Sequence, residues 1–384
     1  MPPNFETLAI HAGQEPDPAT GATVVPVYQT TTYTQDAIGS DRGFVYSRAG
    51  NPTSAALEQC IAALEGARFG LAYASGMAAI AGAMQLVRAG DHVVVADDLY
   101  GGTWRLFTRI LPHYGVRFTY ADATRPEELA KAFEPATRML WIESPTNPML
   151  RLVDIEACAD IARRRSAWLA VDNTFATPYL QNPIALGAHV VVHSTTKYLG
   201  GHSDVLGGAV VVDDAELHER IRFARTATGG VPGPWDAWLV LRGIKTLAVR
   251  MRQHQQNAAR VAEFLRGRPE IAAVHWPGFA DQPGHALAQR QMRGFGGIVT
   301  IELAGGEAAA RWLCEATRVF SLGESLGGVE SLIGYPWEMS HAAFAPDEKR
   351  RRGVSEAIVR LSVGLEDADD LCEDLAAALA AGAR

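Results

Sequence analysis

The sequence predicts an α/β protein with a mostly parallel central sheet, followed by a smaller α+β region. Between residues 50 and 215, short runs of β-branched and apolar residues alternate with stretches of helical pattern. This alternation is typical of βαβ units. The predicted strands are apolar almost throughout, as expected when helices cover both faces of a sheet. After residue 212 a long helical stretch and a second alternation indicate the smaller region.

The predicted elements follow one another in a regular order. The central sheet is expected to contain strands at 92–95, 116–119, 139–142, 168–171, 189–192 and 209–212. Helices are expected among them at 76–88, 126–133 and 155–165. The smaller region is expected to contain a helical stretch at 235–265, strands at 297–303 and 358–363, and helices at 307–317 and 367–380.

The first 50 residues differ from the rest of the chain. They are rich in Thr, Pro, Gly and Tyr and show no clear periodicity, so we expect an N-terminal arm that wraps over its own chain or another. A length of 384 residues suits about two further domains. The predicted organisation is therefore an arm over 1–50, a large domain over 51–240 and a C-terminal α+β domain over 241–384.

Composition excludes several classes of protein. The hydrophobic fraction of 48% is too high for a disordered chain, and a net charge of −8 lacks the basic surplus of a dedicated nucleic-acid binder. The most apolar stretch, 71–87, is too short and polar to span a bilayer, and residues 1–13 lack a signal-peptide pattern. We expect a cytoplasmic protein with neither a membrane nor a nucleic-acid partner.

The cysteines and histidines indicate no metal site and no disulfide framework. The cysteines lie far apart, without a CxxC pair, and are expected to be reduced and buried: Cys60, Cys158, Cys314 and Cys372. His193 is interpreted as a supporting residue beside the site and His341 as a loop residue, because neither has the partner spacing of a ligand set.

Three segments place polar groups where strands end or a helix begins. Asp172 ends an apolar strand, where ligands bind in open α/β sheets, although an acidic helix cap is the common alternative. Lys197 follows the next strand among hydroxyl residues, which suits a phosphate and a reactive amine, although most loop lysines are simply solvated. The turn at 73–78 opens a helix whose N–H groups favour an anion, or is a plain N-cap at Ser75.

Together these segments predict a pyridoxal-phosphate site. That cofactor needs a lysine for its carbonyl, an acid for its pyridine nitrogen and a cradle for its phosphate. Lys197 and Asp172 would supply the first two. The phosphate would be held by Gly76, Met77, Ser194 and Thr196. The combination is more specific than any one of its parts.

A longer set of motifs runs nearly end to end. They read TLAIHAG (7–13), YSR (46–48), GNPT (50–53), DDLYGGT (97–103), ESPTNP (143–148), LRGIKTL (241–247), ESLGGVESL (324–332) and VRLSVG (359–364). With these motifs the chain resembles the Cys/Met-metabolism family of pyridoxal-phosphate enzymes. The resemblance implies the fold-type-I, aminotransferase-like architecture.

The resemblance also implies individual roles. Lys197 would bind the cofactor carbonyl and carry protons between substrate carbons, Asp172 would pair with the pyridinium, and Tyr100 would stack on the ring and move protons. Tyr46 and Arg48 would reach the phosphate of a neighbouring subunit. The active unit would then be at least a dimer, and the assembly a homotetramer built as a dimer of dimers.

The substrate is implied to be a small amino acid. Arg360 would bind its α-carboxylate as a bidentate fork, with Asn147 and Ser325 in support. Glu324 would attract a distal ammonium group, such as the one that cystathionine carries. Together with Val329, Glu324 favours γ-chemistry over the β-lyases.

Among the γ enzymes, the segments 233–239 and 360–367 favour a cystathionine γ-lyase, which yields cysteine, 2-oxobutanoate and ammonia. Cystathionine γ-synthase, which joins cysteine to an activated homoserine, is the first alternative. Methionine γ-lyase, O-acetylhomoserine sulfhydrylase and cystathionine β-lyase follow, and segment 101–108 lacks the cysteine that methionine γ-lyases favour. An aminotransferase-like ligand sensor is disfavoured, because no basic DNA-binding segment precedes the fold.

Two departures from the family pattern bear on interface and substrate. Ser54 stands where arginine is common, and the segment 334–338 carries bulky aromatic residues. A changed substrate preference is therefore an open hypothesis.

Overall fold

The computed structural model describes residues 3–382. Its strands are β1 (Phe69–Tyr73), β2 (His92–Ala96), β3 (Arg117–Ala121), β4 (Thr137–Glu143), β5 (Trp168–Asp172), β6 (Val190–His193), β7 (Gly208–Val212), β8 (Ile271–His275), β9 (Ile298–Leu303), β10 (Ser321–Leu322), β11 (Leu332–Gly334) and β12 (Ile358–Ser362).

Helices alternate with these strands. They are α1 (Phe5–His11), α2 (Pro52–Glu65), α3 (Gly76–Ala83), α4 (Gly101–Arg105), α5 (Pro126–Lys131), α6 (Ile155–Arg164), α7 (Thr177–Leu180), α8 (Ala215–Thr228), α9 (Pro234–Ile244), α10 (Leu247–Leu265), α11 (His285–Gln291), α12 (Gly306–Ala316), α13 (Pro346–Arg351) and α14 (Ala368–Gly382). A 3-10 turn, Met84–Leu86, continues α3, and Leu106–Ile110 and Leu111–Tyr114 continue α4.

The chain forms two compact units. The first contains the residues up to Arg88 together with Trp168–Ala248, and the second contains Ala89–Ala167 together with the residues from Val249 onward. This division concerns compactness alone. The arm at 1–50, the large domain at 51–240 and the C-terminal domain at 241–384 stay a prediction.

In the first unit, four strands lie in the order β1-β7-β6-β5. β5 and β6 are parallel, with Asp172 beside Val192. β7 runs antiparallel to both β6 and β1. Two reversals leave β1 pointing the same way as β6, so the carboxyl ends of β1, β5 and β6 lie at one edge. That edge carries Tyr73, Asp172 and His193.

Helix α2 packs against β1 in the same unit. It begins where the Asn51 side chain accepts a hydrogen bond from the backbone N–H of Thr53 at 2.9 Å, with Pro52 in the first turn. It ends at Gly66, which adopts a left-handed conformation with φ of 71°. Its last residue, Glu65, is fully buried, so the helix carries a carboxylate into the interior.

The second unit holds three parallel strands in the order β4-β2-β3 and a five-stranded sheet in the order β10-β11-β12-β9-β8. In the five-stranded sheet, β12 is buried along its whole length and pairs antiparallel with β9 and β11. Apolar side chains of α12 and α14 cover this sheet, including Leu313, Leu371 and Leu375.

All four cysteines are buried, and none of them forms a disulfide. The prediction that the four thiols are buried is therefore confirmed. Within residues 3–382, no helix combines the length and the apolar character needed to cross a membrane.

Candidate active site

The first helix turn of α3 forms an anion cradle in the first unit. The Ser75 hydroxyl accepts a hydrogen bond from the N–H of Ala78 at 3.0 Å, while the N–H groups of the first turn have no acceptor within the helix. A Cβ atom at Gly76 would lie 2.7 Å from the Cβ of Ser194, and one at Gly208 would overlap the carbonyl of Ser75. Glycine at both positions therefore lets the helix start approach Ser194.

The residues after β6 form a tight turn beside that cradle. Ser194 donates its N–H to the hydroxyl oxygen of Thr174 at 2.9 Å. The Thr196 hydroxyl donates to the Gly207 carbonyl at 3.2 Å and accepts from the Gly207 N–H at 3.1 Å. Lys197 is half-buried, and its carbonyl accepts from Gly201 N–H at 2.8 Å. The predicted hydroxyls and lysine are thus presented by one rigid turn.

Asp172 ends β5 and is only 7% exposed. Its Oδ1 accepts a hydrogen bond from the Thr174 N–H at 3.0 Å. Burial raises the pKa of the Asp172 carboxyl, while hydrogen bonds from Thr174 and the neighbouring His193 act in the opposite direction. A cation placed against this desolvated carboxyl would restore its ionised form.

A buried polar network lies behind the same strand ends. The Glu65 Oε1 accepts from the Asn173 amide at 2.9 Å and contacts the His193 Nε2 at 2.6 Å. The Asn173 amide also donates to the Gln181 backbone carbonyl, and the Gln181 side chain donates to the Asn173 Oδ1, both at 2.9 Å. Asn182 donates to Glu65 Oε2 at 3.3 Å. Sequence reasoning named His193 as a supporting residue and missed Glu65, because nothing in its helical pattern shows that it is buried.

In the second unit, Arg360 forms a guanidinium fork on β12. Its Nη1 donates to the Asn147 Oδ1 at 2.9 Å, and its Nη2 donates to the Ser325 carbonyl at 2.8 Å. Arg360 is 7% exposed and Asn147 is 3% exposed. Ser325 has φ of 135°, a region that non-glycine residues rarely adopt, and such backbone strain is concentrated at functional sites. The structure thus brings three predicted substrate residues together.

Glu143 is a second residue that sequence reasoning left without a role. Its Oε2 accepts from the Tyr100 N–H and its Oε1 from the Asn147 N–H, both at 2.9 Å. The carboxylate therefore ties Tyr100 to the Arg360 cluster. The Tyr100 side chain is 38% exposed, and Gly101 after it lies directly under the Ser340 carbonyl, which leaves no space for a side chain.

Three further predicted residues, Tyr46, Arg48 and Glu324, lie at the surface, whereas Met77 in the first turn of α3 is half-buried. Tyr46 is exposed, and the Arg48 guanidinium lies 5.6 Å from its ring centroid while donating to the Thr226 carbonyl. Glu324 is also exposed, next to Ser325. Both arm residues are therefore accessible to a neighbouring chain.

His341 lies in the loop after β11 and is completely buried. Burial and the nearby Arg360 and Arg352 lower its imidazole pKa to about 3, so the ring is neutral at pH 7. Its Nδ1 lies 2.9 Å from the Ser340 hydroxyl. In the part of the chain from 3 to 382, no three His, Cys, Asp or Glu side chains are placed to hold a metal ion.

The first-unit residues fit pyridoxal phosphate. The helix start at Gly76 and the hydroxyl turn suit its phosphate, the desolvated Asp172 suits its protonated pyridine nitrogen, and Lys197 supplies the amine that its carbonyl needs.

Comparisons with known proteins agree with this chemistry. Residues 6–380 match the model of the Cys/Met metabolism PLP-dependent enzyme family. A cystathionine γ-synthase of Mycobacterium tuberculosis is 52% identical, covering 97% of this chain and 96% of its own. A Bacillus subtilis cystathionine γ-lyase is 47% identical (97% and 98% covered), and a Coxiella burnetii cystathionine β-lyase is 45% identical (98% of each).

The crystal structure of metB from Corynebacterium glutamicum superposes with a TM-score of 0.97 at 47% identity, covering 99% of this chain and 98% of that one. The fold and the site define a fold-type-I, pyridoxal-phosphate-dependent enzyme. The chain belongs to the Cys/Met-metabolism family of these enzymes, and within it to the trans-sulfuration enzymes of the cystathionine γ-synthase, γ-lyase and β-lyase type. The predicted family, fold class and cofactor are confirmed.

Proposed function

We propose that the enzyme acts at the γ-carbon of its substrate, with cystathionine γ-lyase as its main activity. The observation that carries this proposal is the succession of Glu324 and Ser325. The Ser325 carbonyl holds the Arg360 fork, and the exposed Glu324 carboxylate lies one residue away. A substrate with an α-carboxylate at one end and an ammonium at the other matches these two charges.

In this proposal the residues divide the work. Bound pyridoxal phosphate supplies an electron sink that stabilises negative charge on the substrate carbons. Lys197 holds the cofactor and then moves protons at the substrate α- and β-carbons, while Asp172 keeps the pyridine nitrogen protonated. Gly76, Met77, Ser194 and Thr196 would hold the phosphate, and Tyr100 would stack on the ring and donate a proton to the leaving sulfur.

Arg360 fixes the substrate α-carboxylate, with Asn147 and Ser325 holding the fork in place. Because both partners of the fork are already bonded to it in the protein, little ordering is needed when substrate binds. Glu324 selects substrates whose distal end is positively charged.

A second candidate is cystathionine γ-synthase, since the relative at 52% identity carries that name. In both reactions Arg360 would bind the substrate α-carboxylate. The reactions differ at the γ-carbon, where the lyase eliminates cysteine and the synthase adds it. The discriminating experiment incubates the holoenzyme with cystathionine alone, and separately with cysteine plus O-succinyl- or O-acetylhomoserine. Release of 2-oxobutanoate and cysteine supports the lyase; faster formation of cystathionine in the second reaction contradicts it.

Lys197→Ala tests the cofactor assignment itself. The variant is expected to lose the yellow absorbance of covalently held cofactor and all turnover. A colourless wild-type protein that does not take up pyridoxal phosphate would contradict the proposed function.

We further propose a homotetramer built as a dimer of dimers, in a cytoplasmic enzyme. The exposed Tyr46 and Arg48 support this proposal, because a neighbouring subunit's phosphate is a partner that suits both. Native mass spectrometry of the holoenzyme tests the assembly. A stable, active monomer would contradict it.

A further inference from the structure

We propose that Glu65 is a positioning residue that holds the strand ends bearing Asp172 and Ser194 in the register that cofactor binding needs. The proposal deepens the function above and rests on the cofactor roles of Asp172 and Ser194 stated there. Glu65 itself touches neither substrate nor cofactor in this account. It acts through its two hydrogen-bonded neighbours.

One carboxylate oxygen bridges two adjacent strands. Glu65 Oε1 bonds Asn173, the residue after Asp172, and also His193, the residue before Ser194. Asp172 and Val192 are register partners on parallel β5 and β6, so the two bridged residues are neighbours across the sheet. Together with the backbone ladder between β5 and β6, this acceptor therefore helps to set the spacing between Asp172 and Ser194.

The bridge is built to be rigid. Asn173 is fully buried, and its N–H donates to the Val192 carbonyl at 3.0 Å. Its amide oxygen accepts from Gln181 at 2.9 Å, and Asn182 donates to the Leu64 carbonyl at 2.9 Å. Asn173 and Asn182 are thus held by contacts of their own, so displacement of the Glu65 carboxylate would disturb both strand ends that it bonds.

The site calls for a carboxylate rather than an amide. Glu65 receives donors at both oxygens, from Asn173 and His193 at Oε1 and from Asn182 at Oε2. A glutamine would place an NH2 group where one of these donors arrives, and a buried donor facing a donor is costly. The Glu65 side chain is also 0% exposed, so no water can take the place of a lost partner, and each of its hydrogen bonds must be made within the protein.

A purely structural role would lower stability and leave the cofactor unchanged. Asp374 is the matched control, because its carboxylate accepts three backbone N–H groups, from Arg318, Val319 and Phe320, at 2.8–3.0 Å. Asp374→Asn removes a multiply bonded carboxylate that belongs to no part of the proposed cofactor site.

The experiment compares wild-type, Glu65→Gln and Asp374→Asn holoenzymes. It measures thermal midpoint, the rate of cofactor loss on dilution, and the pH dependence of the bound-cofactor visible absorbance. We expect Glu65→Gln to lose cofactor at least tenfold faster and to move the pH transition by half a unit or more. Asp374→Asn should lose thermal stability, while its rate of cofactor loss stays within twofold of wild type and its absorbance transition stays within 0.2 pH units.

His193 provides a second variant if Glu65→Gln does not fold. His193→Ala removes one of the two partners of Glu65 Oε1 and should reproduce the faster cofactor loss. His193→Gln keeps a donor toward Glu65, so its rate of cofactor loss should return most of the way to the wild-type rate. Cofactor readouts that stay at wild-type values in Glu65→Gln and His193→Ala would overturn the positioning role. That result leaves the proposed function intact, since the proposed function is tested on the wild-type protein, by its cofactor uptake and its reaction products.

Discussion

Arg360 carries a full charge in the middle of a buried strand. Removing a guanidinium from water is costly unless it is paired, and here an amide and a carbonyl take two of its donors. These two contacts fix the plane of the guanidinium, which suits the bidentate binding of a substrate carboxylate proposed above.

Replacing Arg360 by lysine tests this role. The ammonium keeps the charge but loses the planar fork, so we expect a loss of about 2 kcal/mol or more, or roughly a 30-fold higher KM for the amino-acid substrate. Steady-state kinetics and cofactor absorbance are measured together. The control is Arg350→Lys on the exposed helix α13, which should change neither the KM nor the cofactor absorbance. An unchanged KM in Arg360→Lys would contradict the assignment.

Gly76 supports a second residue-scale prediction. An alanine Cβ would press on the Ser194 side chain at 2.7–2.9 Å, and relief of that overlap moves Ser194 away from the helix start. We expect Gly76→Ala to weaken cofactor retention by about 1–3 kcal/mol, the usual range for overpacking. Gly50→Ala is the control, since its Cβ meets only Phe44 at 3.5 Å. Equal cofactor loss rates in the two variants would argue against a cradle at Gly76.

At the residue scale, the sequence predicts the residues that would contact the cofactor better than it predicts the buried residues that hold them in place. Asp172 and Ser194 follow apolar strands directly, so their position at a sheet edge can be read from the pattern. Glu65 lies at the end of a helix, and its hydrogen-bond partners Asn173 and His193 are 108 and 128 residues away in the chain. Long-range pairing of this kind leaves no local signal.

Among the elements, the predicted strands between 92 and 212 lie within two residues of the observed ones. The helical stretch predicted over 235–265 is two helices, because α9 ends at Ile244 and α10 begins at Leu247. The predicted parallel arrangement is observed in the β2–β3, β2–β4 and β5–β6 pairs, whereas β7 runs antiparallel to β6. Its apolar pattern is the same as that of its neighbours, since burial on both faces determines composition regardless of strand direction.

Asn51 joins the arm to helix α2 and supports an element-scale prediction. Its oxygen caps the helix, while its amide donates to the Tyr28 carbonyl at 2.8 Å and contacts Tyr33 and Ser47 at 3.2 Å. Asn51→Asp keeps the cap and loses those donors in a buried setting, so we expect about 1–3 kcal/mol of destabilisation in urea unfolding.

The matched control exchanges the same groups at another cap. Asp214 begins α8 and accepts from Leu217 N–H at 2.9 Å. Asp214→Asn should change stability by less than about 0.5 kcal/mol, because either side chain caps a helix. If both variants unfold at the wild-type urea midpoint, the arm is not held by Asn51.

At the scale of the whole molecule, buried titratable groups determine how stability depends on pH. Burial lowers the pKa of His254 to about 4 and that of His341 to about 3, while burial raises the pKa of Asp98 to about 6. Between pH 6 and 4 the unfolded chain binds a proton at each histidine that the folded protein does not, whereas the folded protein binds one at Asp98. The histidines outnumber the aspartate, so these groups together destabilise the fold as pH falls.

His254→Asn isolates one part of this effect. His254 Nδ1 lies 2.7 Å from the Val363 carbonyl, and an asparagine amide can donate at the same place without titrating. Each proton of difference is worth about 1.4 kcal/mol per pH unit, so the variant should have a shallower loss of stability from pH 6 to pH 4 by about that slope. The measurement is the thermal midpoint of holoenzyme at intervals across that range. The variant should be the less stable protein at pH 7.5, where the lost packing dominates, and the gap should narrow on acidification. Parallel curves for the two proteins would show that His254 is charged in the folded state, against the direction of its pKa shift.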